Sequence, residues 1–134
     1  MKTITLILFL LTSGLSFSQD TLNKFIGTYK YSWTDAKSHE HTLTFIMKAD
    51  LSFESRCEGY SCNGGMIDYG TYQYEKETLI LNFQYRIYKD KPDKKVTFES
   101  QGYQTEKKYV LKEGQLCRVP NADPSKPNVC YIKQ

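Results

Sequence analysis

Beyond residue 24, apolar side chains recur at every second position, the period of strands with one buried face. Residues 25–33 place Phe25, Tyr29, Tyr31 and Trp33 on one side. Residues 41–48 bring Leu43, Phe45 and Met47 together, Ala49 and Asp50 make a tight turn, and 51–57 return with Leu51 and Phe53 inward, which predicts a β-hairpin. A loop rich in turn formers, with Asn63, Gly64 and Gly65, leads into a strand at 66–75, in which Gly70 marks a bulge or a close approach. After a turn at Glu75, Lys76 and Glu77, the clearest alternation covers 78–88. There Leu79, Leu81, Phe83, Tyr85 and Ile87 face one way, and Asn82, Gln84 and Arg86 the other.

The remainder predicts a polar loop at 89–95, strands at 96–103 and 107–112, and a turn at Glu113 and Gly114. A last pair of strands, 115–119 and 129–132, flanks a loop at 120–128 that holds three prolines. Eight or nine short antiparallel strands, without a βαβ unit or an internal repeat, give an all-β meander. Closing it into a small barrel removes the exposed edges that make open sheets aggregate, and a two-sheet sandwich is the alternative. Eleven Tyr, seven Phe and one Trp fit this class.

The first residues have a different character. Lys2 is followed by a short apolar run from Ile4 to Leu11, then by Ser16 and Ser18 on either side of Phe17. This reads as a signal peptide over residues 1–18, cut after Ser18, and the run is far shorter than the ~20 residues needed to span a bilayer. Residues 19–134 are then a single domain with no membrane span. The formal net charge of +3 includes Lys2, and the other basic residues alternate with acids, which argues against nucleic acid as a partner.

Cys57, Cys62, Cys117 and Cys130 all follow the signal peptide, and an even number of cysteines in an exported chain implies disulfides. Three pairings are open. The most local joins Cys57 to Cys62 and Cys117 to Cys130, contributing about 2 and about 3 kcal/mol by loop-closure entropy. A four-thiolate zinc site is disfavoured, because the spacings C-x4-C and C-x12-C lack the paired short knuckles of zinc ribbons.

Three segments resemble the small lipocalin-like barrels of bacterial envelope proteins, such as the N-terminal barrel of NlpE-type lipoproteins and the META domain. They are the opening Phe25-Ile26-Gly27-Thr28-Tyr29, the hairpin from Leu43-Thr44-Phe45 to Leu51-Ser52-Phe53, and Gly70-Thr71-Tyr72-Gln73-Tyr74 followed by Leu79-Ile80-Leu81. The chain departs from the NlpE pattern in lacking its lipidated Cys and its C-x-x-C. Cys62-Asn63 is similar to the Cys-Asn of META domains, whose later motif is absent. The resemblance implies a barrel in the envelope or outside the cell and transfers no site.

Candidate chemistry is sparse. His39 and His41 share a face if extended, giving two of the ligands a metal ion needs and no third. Glu54, Glu58 and Asp68 are acids that a small extracellular enzyme could gather at a barrel mouth, but no G-x-S-x-G elbow or triad is present. Tyr29, Tyr31, Trp33, Tyr72, Tyr74 and Tyr85 would line a ligand pocket in a wide barrel or fill the core of a narrow one. Tyr69, Tyr88 and Tyr103 on the alternate face would suit a protein partner, and a Cys57–Cys62 loop with Glu58 and Tyr60 at its tip would be a rigid knob. The expectation is a secreted or periplasmic, non-enzymatic barrel that binds a small apolar ligand or a protein, without a cofactor. The carboxylate enzyme and a metal-binding envelope protein are the alternatives.

Overall fold

A computed structural model describes residues 23–59, 62, 65–119 and 129–134. The signal peptide expected over residues 1–18 with a cut after Ser18, Tyr60 and the loop expected at 120–128 lie outside the described residues.

Nine strands follow one another: β1 (Gly27–Thr34), β2 (Glu40–Met47), β3 (Ser52–Gly59), β4 (Met66–Glu75), β5 (Thr78–Tyr88), β6 (Lys91–Thr97), β7 (Glu106–Lys112), β8 (Gln115–Arg118) and β9 (Cys130–Lys133). Every pairing is antiparallel. The order β4-β3-β2-β1-β9-β8-β7-β5, closed by β4 against β5, makes an eight-stranded barrel, and β6 lies outside the ring on β5. The barrel, not the sandwich, is the architecture.

Register explains why the ring closes around these side chains. Across β1 and β2 the inward pairs are Tyr29 with Phe45, Tyr31 with Leu43, and Trp33 with His41. Phe53, Tyr72, Leu79, Leu81, Phe83, Tyr109, Leu116 and Tyr131 complete the core. Its rings meet largely edge to face, as in Phe53–Phe83 at 4.9 Å and Phe45–Tyr131 at 4.7 Å, an arrangement worth about 0.5–1.5 kcal/mol per pair beyond burial itself. Phe25, just before β1, closes one end against Tyr74, with ring centroids 5.1 Å apart, and its carbonyl accepts a hydrogen bond from the Tyr29 hydroxyl at 3.0 Å. Phe45 meets both Tyr109 and Tyr131 within this cluster.

Two local departures from simple alternation matter. Tyr69 faces Tyr85 but Gly70 faces Phe83, so Gln84 is an extra residue on β5. This bulge reverses the alternation, since one added residue flips all those beyond it. Arg86 therefore turns inward beside Asp68, while Tyr85 turns outward and stacks on Tyr69 at 4.8 Å. Even spacing across 78–88 had placed them the other way round. The second departure is β6, which occupies most of the stretch expected as a loop, whereas the strand expected at 96–103 is largely a 3-10 turn (Glu99–Gln101). Because β6 pairs with β5 alone, outside the ring, it needs no apolar stripe, and Val96 is its one half-buried residue.

The cystines are Cys57–Cys62 and Cys117–Cys130, the local pairing. Cys117 and Cys130 are directly opposed on β8 and β9. Among the described residues no helix is long and apolar enough to cross a membrane.

Candidate functional site at the barrel end opposite Phe25

The end opposite Phe25 is built from polar side chains on otherwise apolar strand faces. Arg86 comes from the upper part of β5, Lys107 from the start of β7 and Arg118 from the end of β8. Lys107 lies across from Leu81, and Arg118 from Tyr109, so both occupy the inner face. Two backbone ties shape the adjoining connection: the Phe98 amide donates to the carbonyl of the bulged Gln84 at 3.0 Å, and the Phe83 amide to the Thr105 carbonyl at 2.7 Å. Between these ties the chain makes its 3-10 turn and reverses at Gly102, whose φ of 65° is the left-handed conformation glycine tolerates best. Phe98 is thereby buried, and Tyr103 remains 45% exposed.

These elements border a shallow, solvent-open pocket of about 280 Å³ lined by Arg86, Phe98, Tyr103, Gln104, Lys107 and Arg118. That is just under the ~300 Å³ at which small-molecule sites begin. A second, of about 220 Å³, sits on the β5–β6 hairpin among Tyr88, Asp90, Lys91, Lys94 and Val96. The first has walls from more of the barrel.

The three cations differ in their partners. Arg86 donates to both carboxylate oxygens of Asp68, at 2.6 and 3.0 Å, and its guanidinium lies within 5.3 Å of the Phe98 ring centroid and 5.7 Å of that of Tyr103. The Asp68 contact raises its already high pKa further. Lys107 and Arg118 form no ion pair among the described residues. Burial pushes the Lys107 ammonium down, and Arg118 pushes it the same way. Lys107 also stands over the Phe83 ring, 4.4 Å from its centroid. One acid thus offsets one of three positive charges.

The aromatic residues expected to line a pocket are spread over the core, its two ends and the outer face. Tyr29 and Tyr72 are buried in the core, Tyr74 packs on Phe25, Tyr31 stacks on Trp33 at 5.4 Å, and Tyr85 is outside. Tyr88 and Tyr103 both lie near Arg86, whereas Tyr69 is on the outer face, so those three form no common surface. Of the acids, Glu54 is held outside by Lys48 and Arg56, Glu58 is exposed near Lys89, and Asp68 is inside with Arg86. The three do not meet.

His39 and His41 do converge, on Asp35. His39 Nδ1 and His41 Nε2 each lie 3.1 Å from Asp35 Oδ2, while Asp35 Oδ1 accepts the amides of Lys37 and His39. These bonds, led by that from the His39 amide, hold the Asp35 carboxyl well below the usual range. His41 also stacks on Trp33 at 4.9 Å. The cluster ties the β1–β2 connection, and among the described residues no group of three or more His, Cys, Asp or Glu is placed to hold a metal ion.

Of the cavity residues, alternation singled out Tyr103 alone, and as part of a surface for a protein partner. The signal for the cations was the interruption of apolar stripes by Arg86, Lys107 and Arg118, legible only once the bulge and the β6 excursion are known. No family model, curated protein or solved structure matches this chain.

Proposed function

We propose that this is a non-enzymatic binding barrel of the envelope or extracellular space, exported by its N-terminal signal peptide, that takes a small organic ligand at the end opposite Phe25. Two cystines support an oxidising, extracytoplasmic setting. The observation that carries the ligand reading is the cavity beside Phe98 and Tyr103, where side chains from three barrel strands converge next to the aromatic core. The ring contacts of Phe45 with Tyr109 and Tyr131 inside the barrel favour this end over a deep apolar site. The acids of the enzyme alternative are each engaged by a cation and lie apart, which leaves that reading without a constellation. The sequence likeness to lipocalin-like envelope barrels supports the envelope reading.

Ligand-observed NMR with a set of aromatic and aliphatic fragments tests the reading. Saturable binding that is lost in Tyr103→Ala and weakened in Gln104→Ala supports it. Binding by no fragment, or binding indifferent to both changes, removes it.

A further inference from the structure

We infer that the ligand is an organic anion whose carboxylate or phosphate group is held by Lys107 and Arg118 and whose planar or apolar body lies on Tyr103 and Phe98. This names the ligand class of the site proposed above and rests on that reading. Asp68 faces inward at this end, and both its oxygens are engaged by Arg86. Lys107 and Arg118 face the same cavity with no carboxylate in ion-pair reach among the described residues. A partly buried cation with a second cation for a neighbour is costly, and an anion between the two relieves both desolvation and repulsion. Charge-assisted bonds from an ammonium and a guanidinium are the strong kind, and the guanidinium fork matches both carboxylate and phosphate.

Arg86 has a different part. Its charge is balanced by Asp68 and its guanidinium is flanked by Phe98 and Tyr103, so it stiffens the wall. The exposed face of Tyr103 then offers a surface for the rest of the molecule, and Gln104 supplies an amide at the rim. The pocket of about 280 Å³ has room for the anionic group and one small ring.

Isothermal titration calorimetry on the oxidised protein, with phenylacetate, phenylacetamide, phenyl phosphate and inorganic phosphate as probes, tests this. At least one acid should bind roughly tenfold or more tightly than phenylacetamide, with affinity falling as salt is raised. Lys107→Gln and Arg118→Gln should each weaken the acids by about tenfold, and Arg118→Lys should restore much of the loss. Thermal melting confirms that each variant is folded. If phenylacetamide binds as well as phenylacetate, the anion assignment falls while the ligand site stands. Inorganic phosphate binding as tightly as phenyl phosphate overturns the role given to Tyr103 and Phe98. Binding by none of the four removes both the anion assignment and the site.

Discussion

Replacing Gly70 with Ala tests the bulge on which the placement of Arg86 depends. The added methyl would overlap the Asn82 carbonyl oxygen and lie 2.7 Å from Cε1 of Phe53. Neither neighbour can yield cheaply. Asn82 belongs to backbone paired on both sides, with β4 and with β7. Phe53 is 1% exposed and packed edge-on against Phe83. Overpacking costs about 1–3 kcal/mol, and a clash with backbone belongs near the upper end. The variant's stiffer unfolded chain offsets about 0.4–1 kcal/mol. The net loss is about 2 kcal/mol, a large part of the ~5–15 kcal/mol typical of a domain. Urea denaturation of the oxidised protein should show a lower midpoint at unchanged slope, with a melting temperature reduced by roughly 5–10 °C. Gly114→Ala is the contrast: nothing lies within 4 Å, and its cost comes from a φ of +76° alone, about 1–2 kcal/mol. A Gly70→Ala protein within ~0.5 kcal/mol of the parent would refute the tight approach, and with it the inward turn of β5.

Three further outcomes follow from other parts of the fold. Lys76 and Glu77, the two-residue β4–β5 turn, have φ values of 49° and 64°, so Asn-Gly in their place should raise stability by about 1 kcal/mol, read by thermal melting. Because the Asp35 carboxyl is held below its ordinary value of 3.8, its contribution is present above that pH and lost as pH falls below it; Asp35→Asn should flatten the acid limb of the stability profile. At the other extreme, burial pushes the Tyr131 phenol up to about 12 and Tyr109 well above its ordinary value of 10.0. Their stabilisation is full below that value and is lost as pH rises through the folded pKa, so ultraviolet titration should show a late phenolate phase that coincides with loss of near-ultraviolet dichroism.

Strand period was enough to place most of the barrel, because the inward residues of β1 to β4, β7, β8 and β9 keep strict alternation between the core and solvent. Gly70 was legible as a bulge or close approach for the same reason, being a glycine in an otherwise regular strand. Alternation failed where the ring condition lapses. The β6 strand is polar on both faces because it packs against nothing inside the barrel, and Tyr85 was assigned the wrong face because the extra residue, Gln84, is on the partner of the glycine. The candidate site was illegible for a related cause: Arg86, Lys107 and Arg118 are distant in sequence, and their meeting depends on register and on the ties from Gln84 to Phe98 and from Phe83 to Thr105. The local cystine pairing was legible as one of three choices and required the β8–β9 register to select it.

Whether ligands enter at the cationic end is tested most directly by two-dimensional amide NMR of the isotope-labelled protein titrated with phenylacetate. Saturable shifts centred on Phe98, Tyr103, Gln104, Lys107 and Arg118 are predicted, with Tyr69 and Tyr85 on the outer face unmoved. Shifts centred on the outer face or on Trp33 and His41, or no saturable change at all, would contradict it.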